Sequence, residues 1–548
     1  MKRIILYGWI LIGLLSCKDE FLERKPLDAL SDADVWQDIS LAESYVNNIY
    51  KDVYDGFRRR HDTWGYGIYL LDAGSDDGKT SFTWSESEKL NFNNYTPADA
   101  PLRYTWSDMY QAIRKANQFL ERIDAVPNGT QDVKDRLKGE VKFLRAWFYF
   151  ELMKQYGGVP IIRQSQGLDE NLEVSRNTYD ECADFVVREL DEAAALPIAA
   201  PQVGRATKGS ALALKSRVLL YWASPLNNPG SDNARWQRAA QAAQDVISLG
   251  KYALFSDYRT LFQPENENNV EVIFDKQYRY PAYVHGHDTY HTPYSKGNFA
   301  SGWGGTSVTQ EFVDAYEMVD GKMTTQSPLY DPQAPYQNRD PRFYATVLFD
   351  GAQFTIGGKE VTIETRVGGE NGLRGNQDAT KTGYYLGKFL NRNYVVNYAR
   401  DGGFDSEQNW ILLRYAEILL NYAEAQNEAA GPDGTVYAAL NLIRDRAGMP
   451  DLPGGLAKDA MRDRIRNERR VELAFEEHRF WDIRRWKIAQ NVLNGPVHGV
   501  EITAGPDGRR TFNRFPVETR YFQPRNYVEP IIQEEINKNK NLQQNQGW

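Results

Sequence analysis

Cysteine is nearly absent: Cys17 and Cys182 are the only two in a chain of 548 residues. With Cys17 consumed by modification, as argued below, Cys182 has no partner and an internal disulfide is excluded. Cys182 sits among Thr178, Tyr179, Ala183, Phe185 and Val186 on a predicted helix, and reads as a small core residue rather than a nucleophile. Missing too is any apolar run of the about 20 residues that a membrane-spanning helix needs. A phosphate loop, a dinucleotide fingerprint and a serine nucleophile elbow are all lacking. There is no surplus of positive charge either. The formal charge of −9 argues against nucleic acid or an anionic lipid surface as the main partner. What the chain has in quantity is rings, with 33 Tyr and 13 Trp, and the question is which of them the fold leaves in reach of a ligand.

The N-terminus carries the first positive signal. Lys2 and Arg3 precede a short apolar stretch, Ile4 to Leu15, which ends in Leu14-Leu15-Ser16-Cys17. The junction resembles a bacterial lipobox, so residues 1–16 are expected to be a signal peptide that is removed, leaving acylated Cys17. Each buried methylene contributes about 0.8 kcal/mol, and two or more chains hold a protein on a membrane stably. Residues 17–31, opening with Lys18-Asp19-Glu20, read as a polar tether. A single folded unit is expected over 32–548.

Helical periods dominate that unit. Leu41–Tyr54, Trp106–Leu120, Val133–Tyr156, Tyr179–Leu196, Lys208–Ala223 and Ala234–Leu249 each repeat apolar residues at helical spacing. Gly157-Gly158 and Pro160 stop the third. From about 255 to 405 the period is lost to Gly-rich, aromatic loops with strand-like runs at Val270–Phe274, Ala345–Phe349 and Val361–Glu364. Helices resume over about 406–490. In Trp410–Gln426, Arg414, Glu417, Asn421 and Glu424 form one polar stripe on an otherwise apolar helix. Tyr437–Ala447 and Met461–Trp486 are expected to cover it. The fold class is therefore mostly α, with about four helix pairs in the tetratricopeptide style, where alanines let aromatic residues nest. Asn128-Gly129-Thr130 reads as a turn between helices rather than a glycosylation acceptor.

Five segments carry a family resemblance. They are Arg145-Ala-Trp-Phe-Tyr-Phe-Glu-Leu through Pro160, Arg339-Asp-Pro-Arg342, Arg414-Tyr-Ala-Glu-Ile-Leu-Leu through Ala425, Asn467-Glu-Arg-Arg through Trp486, and Glu529-Pro-Ile-Ile with Asn541 through Trp548. In order and spread, they resemble the starch-utilisation-system D (SusD/RagB) family of outer-membrane nutrient-binding lipoproteins. Gln546 departs from the proline that the family often has there. Lys18-Asp19-Glu20 likewise resembles the acidic signal of surface lipoproteins of the Bacteroidetes. The resemblance implies a helical scaffold, a loop-rich ligand section and capture of glycan at the cell surface. It also implies a SusC-like TonB-dependent transporter as partner. Neither enzymatic activity nor a cofactor is expected, because no motif for either is present. The alternatives are surface binding of another nutrient such as peptide and, behind it, glycoside hydrolysis. Hydrolysis needs two carboxylates about 5 or about 6.5–9.5 Å apart, and none of the 74 acidic residues is marked out for that role.

The longest segment reads as scaffold. Arg469 with Glu472, Glu476 with Arg479, and Asp482 with Arg485 are all at i,i+3 spacing. The ligand signal is sought instead where rings sit in polar loops, because a sugar face stacks on a ring while hydroxyls need Asp, Asn or Arg at its edge. One window, His61–Trp106, holds Trp64, Tyr66, Tyr69, Trp84, Tyr95 and Tyr104 among Asp77, Asn94 and other polar residues. Another, Tyr278–Trp303, holds Tyr283, Tyr290, Trp303 and others. The expected platform is Trp84, Trp303, Tyr283 and Tyr290, with Asp77 and Asn94 taking hydroxyls. Trp303 leads because Gly302, Gly304 and Gly305 clear its surroundings. Its truncation is expected to weaken binding at least tenfold while moving the melting temperature little. His285, His287 and His291 fall within seven residues; polar glycan or loop contacts are favoured over a metal, since no supporting carboxylate is evident.

Overall fold

The computed structural model describes residues 32–57, 70–167, 169–196, 202–296, 301–399 and 401–548. Cys17 lies outside them. The helical periods become α1 (Ile39–Lys51), α2 (Tyr104–Arg122), α3 (Gln131–Tyr156), α4 (Tyr179–Ala195), α5 (Lys208–Ala223) and α6 (Asn233–Ile247). Beyond the loop-rich section come α7 (Tyr415–Ala430), α8 (Gly434–Arg446), α9 (Lys458–Glu472) and α10 (His478–Arg485). Local chemistry sets their ends. Thr130 caps α3 by accepting from Val133 N, and Thr178 with Glu181 forms a reciprocal capping box on α4. Gly157, at φ 77°, ends α3 in a conformation that L side chains resist.

From α2 to α6 each helix packs on the next, and α7 then closes on α6 and carries α8 and α9. Small residues make the close approaches: Ala239, Ala240 and Ala243 of α6 and Ala416, Ala423 and Ala425 of α7 are all buried. Aromatic residues fill the remaining space, as where Tyr221 meets Phe150 edge-on at 5.1 Å. Cys182 is buried, and burial lifts its thiol to about 11, consistent with an inert core residue. Among the described residues no helix is long and apolar enough to cross a membrane.

Short antiparallel strand pairs stitch the loops to this scaffold. They are β1 (Gly78–Thr80) with β3 (Thr306–Val308), β2 (Val272–Lys276) with β4 (Trp410–Arg414), and β5 (Gly495–Ala504) with β6 (Arg510–Arg520). The second pair corrects the sequence reading, which placed Trp410–Arg414 in a helix. β2 presents a strand edge there, so Trp410 to Leu413 pair as strand and the helix starts at Tyr415.

A second correction concerns Met461–Trp486. It is two helices, because Phe475 (φ 57°) and Glu477 (φ 63°) turn the chain left-handed between them. Residues three apart across that break cannot pair as on one helix, so Arg479 reaches Asp76 (2.8 Å), not Glu476. Arg469 and Glu472 do share α9, but Glu472 is taken by Arg342, Arg414 and Arg446, and Arg469 reaches Asp482 (2.8 Å) instead. Asp482 with Arg485, lying within α10, holds at 2.8 Å as expected.

The polar stripe of α7 is buried and receives arginines from elsewhere. Glu417 takes Arg217, Asn421 takes Arg469, and Glu424 takes Arg485 with the Trp486 indole N–H. Burial alone would raise the Glu424 carboxyl, but Arg485 outweighs it and holds the group at about 2. The folded pKa lies below the unfolded one, so this stabilisation is full above about pH 4.5 and is lost as pH falls through 2. It amounts to about 3 kcal/mol. Chemical denaturation at stepped pH should show Glu424→Gln losing less stability than wild type between pH 4.5 and 2; parallel profiles would refute the assignment.

Candidate functional site

The two aromatic windows, some 200 residues apart, are joined by β1 and β3. Their register sets Gly78 opposite Val308 and Thr80 opposite Thr306. Just beyond, Ser81 N donates to Gly305 O (2.8 Å) and Ser81 Oγ to Gly304 O (2.6 Å). The Trp303 loop is tied in turn to the short helix His287–His291 through Trp303 N to Thr289 O (2.9 Å) and Gly305 N to Tyr290 O (2.6 Å).

These ties assemble one aromatic face. Trp84 lies 5.3 Å from Phe82, and Phe82 meets Trp303 edge-on at 6.2 Å. Tyr290 is 5.4 Å from Trp303, and Phe404 lies 5.2 Å from Tyr290 and 5.8 Å from Trp303. Trp303 Nε1 donates to Tyr398 Oη at 3.2 Å, and Tyr398 Oη donates to Ser301 O at 3.2 Å. Trp84 is 59% exposed and Tyr398 54%, whereas Phe82 is buried beneath them. Exposed rings of this size, backed by buried ones, form a surface suited to a partner with an apolar face. The Asp378 backbone carbonyl abuts Gly304, which sets the turn of Asn376, Gln377 and Asp378 against the Trp303 loop.

Trp84, Trp303 and Tyr290 are thus brought together; three other expected residues are not. Asp77 is buried, donating no surface to a ligand, and its carboxylate accepts from Arg470 Nε at 2.7 Å. With Asp76 it anchors the start of β1 to α9 and α10. Tyr283 stacks on Tyr278 at 4.8 Å and lines a separate cavity of about 310 Å³ with Tyr50 and Lys276. Asn94 is exposed but lies past the far end of the helix Glu86–Phe92, beside Tyr95, which packs on Trp548 at 5.0 Å. Trp64, Tyr66 and Tyr69 lie outside the described residues. Sequence reasoning missed Phe82, Tyr398 and Phe404. The signal for the last two was present, because they flank Gly402-Gly403 in the same Gly- and ring-rich style as the Trp303 loop.

The glycines around Trp303 have a different role from the one expected. A Cβ on Gly302 would sit 2.5 Å from Thr292 O, and one on Gly304 would sit 2.4 Å from Asp378 O. They permit backbone to pack on backbone rather than clear space for a ligand. Gly304 also has φ 55°, so Gly304→Ala adds strain to the clash. That variant should lose about 1–3 kcal/mol in urea unfolding; an unchanged midpoint would contradict the packing role.

The histidine cluster is interior. His285 stacks on Phe57 at 4.3 Å, and its Nε2 lies 2.9 Å from Gln408 O. His287 and His291 are buried 4.4 Å apart, and burial holds both neutral, His291 down to about 3. Among the described residues no three His, Cys, Asp or Glu side chains are grouped to hold a metal.

Comparison with known proteins places the chain as a whole. The family described as "SusD family" matches residues 270–548, and one described as "Starch-binding associating with outer membrane" matches residues 20–220. A SusD-like protein of Bacteroides fragilis, known as a crystal structure, is 33% identical, with 96% of this chain and 100% of that one covered and a TM-score of 0.81. A SusD-like carbohydrate binding protein of the same species is 27% identical over 93% of this chain and all of its own, with a TM-score of 0.78. SusD-like protein P25 of Formosa agariphila is 25% identical, covering 90% of this chain and 91% of its own length.

Proposed function

The chain belongs to the SusD family, and from that membership and its aromatic face we propose that it binds oligosaccharide without cleaving it. The observation that carries the reading is the union on one surface of Trp84, Trp303, Phe404 and Tyr398 from separate loops with Tyr290 from the short helix His287–His291. Sugar C–H faces stack on such rings, and the exposed amides of Asn376 and Gln377 in the adjoining turn offer hydrogen bonds to hydroxyls. The family description "Starch-binding associating with outer membrane" and the carbohydrate-binding structural relative support the same reading. Isothermal titration after a glycan-array screen should find a neutral or modestly charged oligosaccharide with Kd between about 1 µM and 1 mM, or roughly −8 to −4 kcal/mol. EDTA should leave it unchanged. Binding of peptides alone would overturn the reading.

In the same proposal Cys17 carries the acyl anchor, the protein sits at the outer-membrane surface, and a SusC-like TonB-dependent transporter receives the captured glycan. Cys17→Ala should move the protein from the membrane to the soluble fraction with its fold intact. Deleting Lys18–Glu20 should preserve acylation but abolish protease access on intact cells. Palmitate labelling that survives Cys17→Ala would refute the anchor.

A further inference from the structure

A cavity of about 460 Å³ opens between the α5–α6 connection, α7 and α9, remote in sequence from every ring of the aromatic face. Its wall includes Ser231, Trp236, Arg462, Arg466 and Trp486. That volume falls in the range of small-ligand sites, about 300–1,000 Å³. One guanidinium on its wall differs from the buried ones. Those of Arg217, Arg342, Arg414, Arg469 and Arg485 are paired to carboxylate, and those of Arg339 and Arg484 donate to backbone carbonyls. Arg466, half-buried, does neither. Its guanidinium forms no ion pair or hydrogen bond with any described residue, and its Nε is fully shielded from solvent.

The nearby acids are already engaged. Glu424 is held by both Arg485 nitrogens and by the Trp486 indole, and Glu428 is held by both ends of the Arg462 fork. Arg466 instead stacks over the Trp486 ring at 4.8 Å, which fixes its plane. Burial pulls its pKa below the usual range further than Glu424, already engaged by Arg485, lifts it. A planar fork held over a ring at a cavity wall suits a carboxylate or sulfate, which it meets through two parallel N–H donors. The Ser231 hydroxyl and the Trp236 ring on the same wall suit the rest of a sugar.

We propose that this cavity is a second ligand site, selective for an oxyanion-bearing monosaccharide such as a hexuronate, with Arg466 as its anion-binding residue. It is independent of the aromatic face. Titration of the full-length protein with glucuronate, glucose and inorganic sulfate tests it, using wild type, Arg466→Gln, Arg466→Lys and Trp303→Ala. Glucuronate should bind wild type and Trp303→Ala alike, weaken at least tenfold in Arg466→Gln and recover in part in Arg466→Lys, with glucose silent. Competition by sulfate would assign recognition to the oxyanion, whichever group bears it. Equal binding of glucose, or glucuronate binding lost in Trp303→Ala and kept in Arg466→Gln, would overturn the proposal. A melting temperature for Arg466→Gln within a few degrees of wild type establishes that any loss is local. Should that variant unfold, Ser231→Ala, at an exposed position, should lower glucuronate affinity, and unchanged affinity would count against the site.

Discussion

Arg414→Met is expected to cost the folded state about 3–5 kcal/mol, a large share of the 5–15 kcal/mol that a folded protein has. Arg414 ends β4 with its side chain fully buried. Its guanidinium meets Glu271 and Glu472 at 2.7 Å each and Glu476 at 2.6 Å. These carboxylates come from β2's approach and from the end of α9 and the turn after it, so one side chain joins the loop-rich section to the C-terminal helices. Methionine fills similar space but leaves three buried acids short of a cation. Arg446 and Arg342 still reach Glu472, and Lys388 still reaches Glu476, which keeps the loss below complete unfolding. Burial pulls Lys388 down to about 8, so its help should fade above that pH and the variant should weaken further in alkali. Urea denaturation at pH 7 and pH 9 measures both effects. A loss under 1 kcal/mol at both would mean that the network contributes register rather than stability.

This network also shows what a sequence makes legible. Spacing identified Glu417, Asn421 and Glu424 as one stripe, because periodicity is a local property of the chain, but it extended the stripe to Arg414, which β4 holds. It gave the wrong partner for Arg479, because Phe475 and Glu477 adopt left-handed backbone that ordinary propensity does not announce, and for Arg469, because arginines distant in sequence claim Glu472. The hairpin of β5 and β6 escaped notice despite Asp507-Gly508 at its turn, since glycine and polar residues interrupt its alternation. Trp84, Trp303 and Tyr290 were singled out by asking which rings no helical face required, and the fold brings these three together. Asp77 misled because an acid in a polar loop looks the same in sequence whether it meets solvent or Arg470. That distinction depends on β1 lying against α9, a contact between residues almost 400 positions apart.

Trp303→Ala should reduce oligosaccharide affinity by at least tenfold, about 1.4 kcal/mol, and the structure changes what should accompany that loss. Sequence reasoning expected little movement of the melting temperature. Trp303 is in fact partly buried, in contact with Phe82, Tyr290 and Phe404 and bonded to Tyr398, so truncation should also cost about 1–3 kcal/mol of stability. Binding loss in that variant alone would be open to a structural explanation. Trp84→Ala separates the two effects, because Trp84 is 59% exposed and rests on Phe82 alone among the rings of the face. Its stability should stay within about 0.5 kcal/mol of wild type, while affinity falls several-fold through loss of one stacking surface. Tyr398→Phe removes the hydroxyl that meets Trp303 Nε1 and Ser301 O, and should weaken binding only modestly by loosening the Trp303 ring. Calorimetric binding and thermal unfolding measured on all three variants would decide the matter. If Trp84→Ala and Trp303→Ala both bind like wild type, the aromatic face is not the ligand site, however exposed its rings.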